Sequence, residues 1–476
     1  MGTAVSPFID QQYSLPKKLI PCALYALLPL ALLRLYFYPL PLLQSPISDH
    51  TKLTYPNPQN SNSITLPPAG GVAGATSPAI ASVTTQPPPP PPPPSPPPPP
   101  AASSSSAQIE KEGARSEIRQ CDLTNGRWVP DKSGPLYSAR RCRTIKDGQN
   151  CAAHGRPDRG YLNWRWKPKN CNLSRFQPKA FLRLLRNKHL AFVGDSLARN
   201  QLESLLCMLA TVSAPKLVYR REDNKFRRWF FRSFNATVSI YWSPFLVKGI
   251  EKTTAADYNT LYLDSIDERW ASDLDRIDAV VLSIGHWFLH PAVYLEGDSV
   301  LGCHYCLGMN HTEIGFYGVF RKALKTTLKA IIENQRRRAR GHGGIDVTVT
   351  TFSPAHFEGD WDKAGACPKK QPFKEGEKIL EGMDAEMRKV EVEEVEEARK
   401  LGSGLRVTAL DVTKLALMRP DGHPGPYMNP YPFVNGVTDR VQNDCVHWCL
   451  PGPIDTWNEI LLEMMRRRQE QTRRRD

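Results

Sequence analysis

The sequence has no internal repeat, no second C-x-x-C knuckle to match Cys303–Cys306, and no long apolar run beyond residue 43. Each absence excludes a class. Without a repeat there is no solenoid or propeller. With half a knuckle, a zinc site is incomplete, and no metal is implied. With one apolar stretch, a multi-span membrane protein is excluded. Nucleic-acid motifs are also missing, although the 476 residues carry 62 Lys and Arg against 48 Asp and Glu. That surplus therefore reads as solvated surface at Arg336–Arg338, Arg466–Arg468 and Arg473–Arg475, able to attract an anionic donor or polysaccharide but not nucleic acid.

Proline is the one residue in excess. There are 43, too many for a globule of this size, but Pro87–Pro100 alone holds 13. The composition therefore describes a folded body with a long non-globular lead-in. Leu19–Leu33 is apolar, Arg34 interrupts it, and Leu35–Leu43 resumes. With the Arg34 head group at the interface, Leu19–Tyr38 reaches the roughly 20 residues a membrane helix needs. Lys17 and Lys18 favour a cytoplasmic N-terminus. No small-x-small site follows closely, so the expectation is an uncleaved type II anchor over 19–38 behind a cytoplasmic tail, 1–18, rather than a signal peptide. Residues 39–118, with an extended polyproline tract, read as a stalk.

Ten of the eleven cysteines lie in the body: Cys121, Cys142, Cys151, Cys171, Cys207, Cys303, Cys306, Cys367, Cys445 and Cys449. An even number spread over the whole body points to disulfides in an oxidising compartment. The sequons at Asn172, Asn235 and Asn310 agree with that compartment.

From about Arg119 the chain changes character. Cys121–Cys171 is dense in Gly, Pro, Arg, Trp and Cys and reads as a disulfide-braced loop subdomain. Apolar strand-like runs follow at Leu190–Val193, Ala279–Ile284, Val347–Thr351 and Val407–Leu410. Helical stretches accompany them at Leu197–Leu209, Phe320–Glu333, Leu380–Lys400 and Pro453–Met465. Strands alternating with helices predict an α/β fold with a parallel sheet. Glu391–Glu397 reads as an exposed helix face without function.

The chemistry centres on residues 190–209, LAFVGDSLARNQLESLLCML. An apolar strand runs into Gly194-Asp195-Ser196, and an amphipathic helix follows. This layout presents a serine at a helix N-terminus, where free N–H groups can stabilise an oxyanion. Its plain alternative is a serine that only caps the helix. Gly297-Asp298-Ser299 is a second copy. It lacks an apolar strand before it and an amphipathic helix after it, so it reads as a loop coincidence. A nucleophilic serine needs a base, and the base needs an orienting carboxylate. Of eleven histidines only His447 has an acidic residue three positions upstream, Asp444. Several tryptophans, among them Trp164, Trp166, Trp242 and Trp361, offer flat faces for sugar rings or, more commonly, core packing. Trp287 and Trp448 are favoured for sugars because they adjoin motif segments.

Strand–Gly-Asp-Ser–helix with a C-terminal Asp-x-x-His resembles the GDSL/SGNH hydrolase plan. Residues 120–131 (QCDLTNGRWVPD), 159–171 (RGYLNWRWKPKNC), 193–207 (VGDSLARNQLESLLC) and 444–449 (DCVHWC) resemble the plant trichome birefringence-like family, with its PMR5-type N-terminal region and PC-esterase domain. The resemblance spans about Arg119–Met465. Residues 285–306 and the proline-rich stalk are most similar to the xyloglucan O-acetyltransferase branch. The Gly-x-Asn-Asp block of the SGNH plan has no counterpart here, where the post-strand segment is Ser283-Ile-Gly-His286-Trp287.

The resemblance implies an SGNH-like catalytic domain at 174–465 behind a Cys-rich subdomain at 119–173, with a basic tail at 466–476. It implies a Golgi type II enzyme, catalytic domain lumenal, that moves acetyl groups onto a hemicellulose. Xyloglucan is the leading acceptor; mannan or another wall polymer, or an acetylesterase with water as acceptor, is the alternative. Ser196 would be the nucleophile, His447 the base and Asp444 its orienter, with Gly194 and Asp195 shaping the elbow. Arg199, Asn200, Gly285 and Trp287 are candidates for oxyanion or substrate contacts. No bound cofactor is expected, only an acetyl donor, acetyl-CoA or a derivative. The Golgi membrane and other parts of an acetylation machinery are the expected partners. Disulfides from Cys445 and Cys449 would clamp the base, with Cys449 reaching the N-terminal Cys-rich region and Cys445 pairing with Cys367.

Overall fold

The computed structural model describes residues 121–254, 256–338, 344–401 and 406–473. The expected anchor and stalk lie outside them. Among the described residues, no helix is long and apolar enough to cross a membrane.

In the N-terminal region β1 (Gly126–Pro130) pairs antiparallel with β2 (Trp164–Pro168). The expected loop subdomain therefore contains two strands, hidden from pattern reading by the irregular chain between them. The strands that follow are β3 (His189–Gly194), β4 (Lys216–Arg220), β5 (Phe226–Phe231), β6 (Ala236–Trp242), β7 (Val247–Ile250) and β8 (Asn259–Ile266). Then come β9 (Ala279–Ser283), β10 (Ala292–Glu296), β11 (Ser299–His304), β12 (Asp346–Thr350) and β13 (Arg406–Leu410). The longer helices are α1 (Ser196–Ala210), α2 (Tyr317–Arg338) and α3 (Gly382–Leu401), followed by short α4 (Thr413–Leu417) and α5 (Asp455–Arg473).

The main sheet has the order β13-β12-β9-β3-β6-β5-β4. From β13 to β6 all neighbours are parallel, as expected. β5 and β4 extend the sheet antiparallel, because the connections β4–β5 and β5–β6 are too short for a crossover. Four further strands form a second, mixed sheet, β11-β10-β8-β7.

Strand alternation sorts the helices onto two faces. Ala191, Val193, Val280, Leu282, Val347 and Val349 share a buried core with Phe320 and Leu324 of α2 and Val390 and Val395 of α3. Leu190 and Phe192, buried on the opposite face of β3, look toward α1, which packs on β3, β6, β9 and α5. The chain enters the parallel sheet at β3, adds β6 on one side, then β9, β12 and β13 on the other. β3 is thus the switch point, and sites in open α/β sheets lie at the carboxyl ends of strands there. Gly194-Asp195-Ser196 occupies that position.

Two sequence expectations need correction. Glu391 and Glu394 of α3 are buried, not exposed: Glu391 accepts the Phe352 N–H at 2.6 Å, and Glu394 pairs with Arg321 at 3.0 Å. Burial holds the Glu391 carboxyl well above its ordinary range. The basic segment 466–476 does not begin as a tail, because α5 runs on to Arg473. Arg467 donates to Cys121 O at 2.7 Å, and Arg468 approaches Val347 O at 3.4 Å, so part of that charge braces the fold.

Candidate active site

The elbow is forced by close packing. Gly194 has φ +153°, and a Cβ there would lie 1.8 Å from Ser283 O of β9. No other residue fits at that distance. The Asp195 N–H donates to the same carbonyl at 3.1 Å, tying the elbow to β9. Asp195, not Ser196, caps α1: its carboxylate accepts the Leu197 N–H at 2.9 Å. The plain reading of Ser196 as the cap is thereby removed. Burial raises the Asp195 pKa to about 6, against the opposing pull of backbone N–H groups and of the His447 charge.

The base segment is fixed from several directions. Asp444 Oδ2 accepts His447 Nδ1–H at 2.7 Å, and Oδ1 accepts the N–H groups of Val446 at 3.0 Å and His447 at 2.9 Å. Burial would raise the Asp444 pKa, but the His447 charge and these hydrogen bonds outweigh it and hold the carboxyl well below the usual range. With Nδ1 bonded to the carboxylate, His447 Nε2 is the nitrogen left for chemistry. It is buried without a hydrogen-bond partner among the described residues.

Asn200 brings the two motifs together. It lies one helical turn after Ser196, on the same face of α1. Its fully buried amide accepts the Trp448 N–H at 2.7 Å and donates to Trp448 O at 3.2 Å. The residue after His447 is thereby pinned to the opening turns of the serine helix. On the other side, His423 Nδ1 meets His447 O at 2.7 Å, and its Nε2 meets His356 Nδ1 at 2.7 Å. Disulfides Cys367–Cys445 and Cys151–Cys449 flank the base. The first is the expected pair, and the second is the expected reach into the N-terminal region. Cys121–Cys171 closes that region, and Cys142–Cys207 ties it to α1. Cys303 and Cys306 are bonded to each other.

The remaining candidates divide. Asn200 was an oxyanion candidate; its amide oxygen and one amide N–H go to Trp448, so it holds the base loop. The Gly285 N–H faces the Asp195 carboxylate; at φ +154°, a Cβ there would meet the Phe352 ring at 2.5 Å. Arg199 stacks over Trp242 with its guanidinium carbon 4.8 Å from the ring centroid. Its Nε has no partner among the described residues. Trp287 packs edge-on against Trp242 at 5.4 Å and stays half-buried. Trp448 is fully buried and presents no face to a sugar. The second Gly-Asp-Ser sits at the exposed tip of the β10–β11 hairpin. A strand does precede it, but that strand turns back into its partner rather than into a helix.

Sequence reading missed Glu203, Ser204, Gln201 and Asn458. Glu203 accepts the Lys146 N–H at 3.0 Å and pairs with Arg227 at 3.1 Å. Ser204 donates to Asp455 at 2.6 Å, and Asn458 donates to Gln201 O at 3.1 Å. These bonds bury the polar side of α1, which its amphipathic pattern assigned to solvent. The one available signal was a helix with too few charges on its supposed outer face.

A serine elbow at the sheet's switch point, with a carboxylate-bonded histidine whose neighbour Trp448 is tied to the same helix, is an arrangement suited to acyl transfer, and the family models are of acyl-esterase type. Residues 173–464 match the GDSL/SGNH-like acyl-esterase family found in Pmr5 and Cas1p, and 119–172 match the PMR5 N-terminal domain. The chain belongs to this PC-esterase family. It is 59% identical to xyloglucan O-acetyltransferase 1 of Populus trichocarpa over 98% of this chain and 99% of that one. It is 60% identical to xyloglucan O-acetyltransferase 1 of Arabidopsis thaliana over 73% and 80% of the two chains. Protein trichome birefringence-like 25 of Arabidopsis is 42% identical over 77% and 81%.

Proposed function

We propose that this chain is a polysaccharide O-acetyltransferase whose acceptor is xyloglucan, working through an acetyl-serine intermediate. The observation that carries the reading is the clamp of Asn200 on Trp448, which sets the Asp444–His447 pair against the first turns of the Ser196 helix. Ser196 Oγ attacks the acetyl carbonyl of the donor while His447 Nε2 takes the hydroxyl proton. The donor's leaving group departs with that proton. A sugar hydroxyl then attacks the acetyl-serine, giving its proton to His447, and Ser196 recovers it as the ester leaves on the sugar. The Ser196 backbone N–H and the Arg199 side chain, i and i+3 on one helix, are the groups left to meet the oxyanion.

The donor is acetyl-CoA or a molecule derived from it. The enzyme is a Golgi type II protein with its body in the lumen, a reading supported by the apolar stretch 19–38, the disulfides and three sequons whose asparagines are all exposed. The test incubates purified protein with an acetyl donor and de-acetylated xyloglucan, mannan and xylan, and maps new esters. Ester on xyloglucan with acetylated Ser196 trapped by mass spectrometry supports the reading. Release of free acetate alone makes it an esterase; ester only on mannan moves the acceptor.

A further inference from the structure

A groove of about 1220 Å³ lies between the β1–β2 pair and the segment 369–380. None of its wall residues belongs to the Ser196–His447 centre. Its origin is local. Trp128 is directly opposite Trp166 across the β1–β2 ladder, and Trp164 stands two residues before Trp166. Side chains two apart on a strand share a face, and diagonal neighbours across an antiparallel pair are within reach of each other. Three indoles therefore gather on one face of this pair. Trp166 is buried and anchored to Leu123 O at 2.8 Å, and it meets Trp128 edge-on at 5.5 Å. Trp128 is tied to Leu415 O at 2.9 Å. Trp128 and Trp164 stay half-buried and border the groove.

We propose that this groove is a second glycan-binding site, taking a neutral stretch of polysaccharide of the same class as the acceptor; this rests on the acceptor reading above. Rigid indoles at the junction of two domains offer apolar area to the C–H faces of sugar rings at low entropic cost. The facing wall supplies fixed polar groups for ring hydroxyls. There Arg388 and Asp411 form a bidentate pair, and Gln371 lies on the same wall. Lysines 369, 370, 374, 378 and 414 also line the groove, but exposed lysines are ordinary surface; Trp166 is core and Arg419 covers one face of Trp128 at 4.4 Å, which leaves the half-buried Trp164 as the indole that carries the site. A long chain held here and at Ser196 would bind by two contacts, whereas a short one would reach only one.

The test uses the full-length protein and its Trp164→Ala and Ser196→Ala variants. Binding of xyloglucan polymer and of its short oligosaccharides is followed by tryptophan fluorescence and calorimetry at two salt concentrations. Ser196→Ala should bind polymer as the wild type does. Trp164→Ala should weaken polymer binding about tenfold and raise KM for polymer, leaving kcat/KM for short oligosaccharides unchanged. Binding should be insensitive to salt. Trp164→Phe, which keeps a flat ring, should restore most of the affinity and controls for misfolding. Unchanged polymer binding in folded Trp164→Ala overturns the site while leaving the transferase reading intact. Binding that falls steeply with salt and prefers polygalacturonate makes the groove a site for acidic polymers and overturns the neutral occupant. Transfer to no hemicellulose, with Trp164-dependent binding retained, sinks the acceptor reading and not the groove.

Discussion

Replacing Asp444 by asparagine separates what this carboxylate does for the fold from what it does for the proton. Asp444 accepts three hydrogen bonds, from the Val446 and His447 N–H groups and from His447 Nδ1. Asparagine keeps one oxygen for the two backbone donors, so the turn should survive. Toward the ring it would present an NH₂, which must donate. His447 would then hold its proton on Nε2 and have no lone pair there to take the Ser196 proton. Loss of the correct tautomer and of the charge opposite the imidazolium costs about 10⁴-fold in kcat in serine triads, or about 5.5 kcal/mol. Asp444→Ala strips all three bonds. Two unpaired backbone donors at about 1–3 kcal/mol each should lower stability as well. The assay is single-turnover acetylation of Ser196 by mass spectrometry beside thermal melts of both variants. Asp444→Asn should melt within a few degrees of the wild type and be nearly inert, whereas Asp444→Ala should fail in both. An Asp444→Asn protein within tenfold of wild-type rate would refute the tautomer argument.

Ser196→Ala should abolish transfer and Ser299→Ala should spare it, because only Ser196 opens a helix at the sheet's switch point; equal losses in an acetylation assay would unseat Ser196. Mild reduction should cut activity before far-UV circular dichroism changes, since Cys367–Cys445 and Cys151–Cys449 hold the base loop while the sheet has its own core; parallel loss of both signals would count against the clamp. The Glu391 carboxyl stays protonated in the folded state over a range where the unfolded chain ionises, so wild-type stability should decline as pH rises above about 4.3 toward the raised folded value. Glu391→Gln removes that slope, and denaturant titrations from pH 4 to 8 should show the variant gaining on the wild type as pH rises; parallel curves would contradict the buried, protonated state.

The elbow and the base were legible because each is written locally. An apolar strand, a glycine, and leucines at helical spacing announce β3 and α1, and Asp444 and His447 sit within one turn. The Asn200–Trp448 clamp was not legible, since its partners are 248 residues apart and asparagine in a helix carries no local mark of a distant bond. The strands β4 and β5 were missed for another reason. β4 is exposed throughout, and β5 carries Arg227 and Arg228 among its aromatics, so neither shows clean alternation. Glu391 misled because a run of acids reads as solvated surface unless the apolar neighbours from other elements are known.

Cys151 and Cys449 are joined across 298 residues. A ribosome makes the first long before the second, so Cys151 must stay unpaired, or pair wrongly and be released, until the C-terminal part of the chain arrives. His447, the proposed base, is made long after Cys151, the cysteine that anchors its loop. A partly made chain therefore holds a complete serine elbow with no base beside it. On the proposed mechanism, the geometry for acyl transfer comes only when the Cys-rich N-terminal region and the base segment meet, a step that the Cys151–Cys449 bond records.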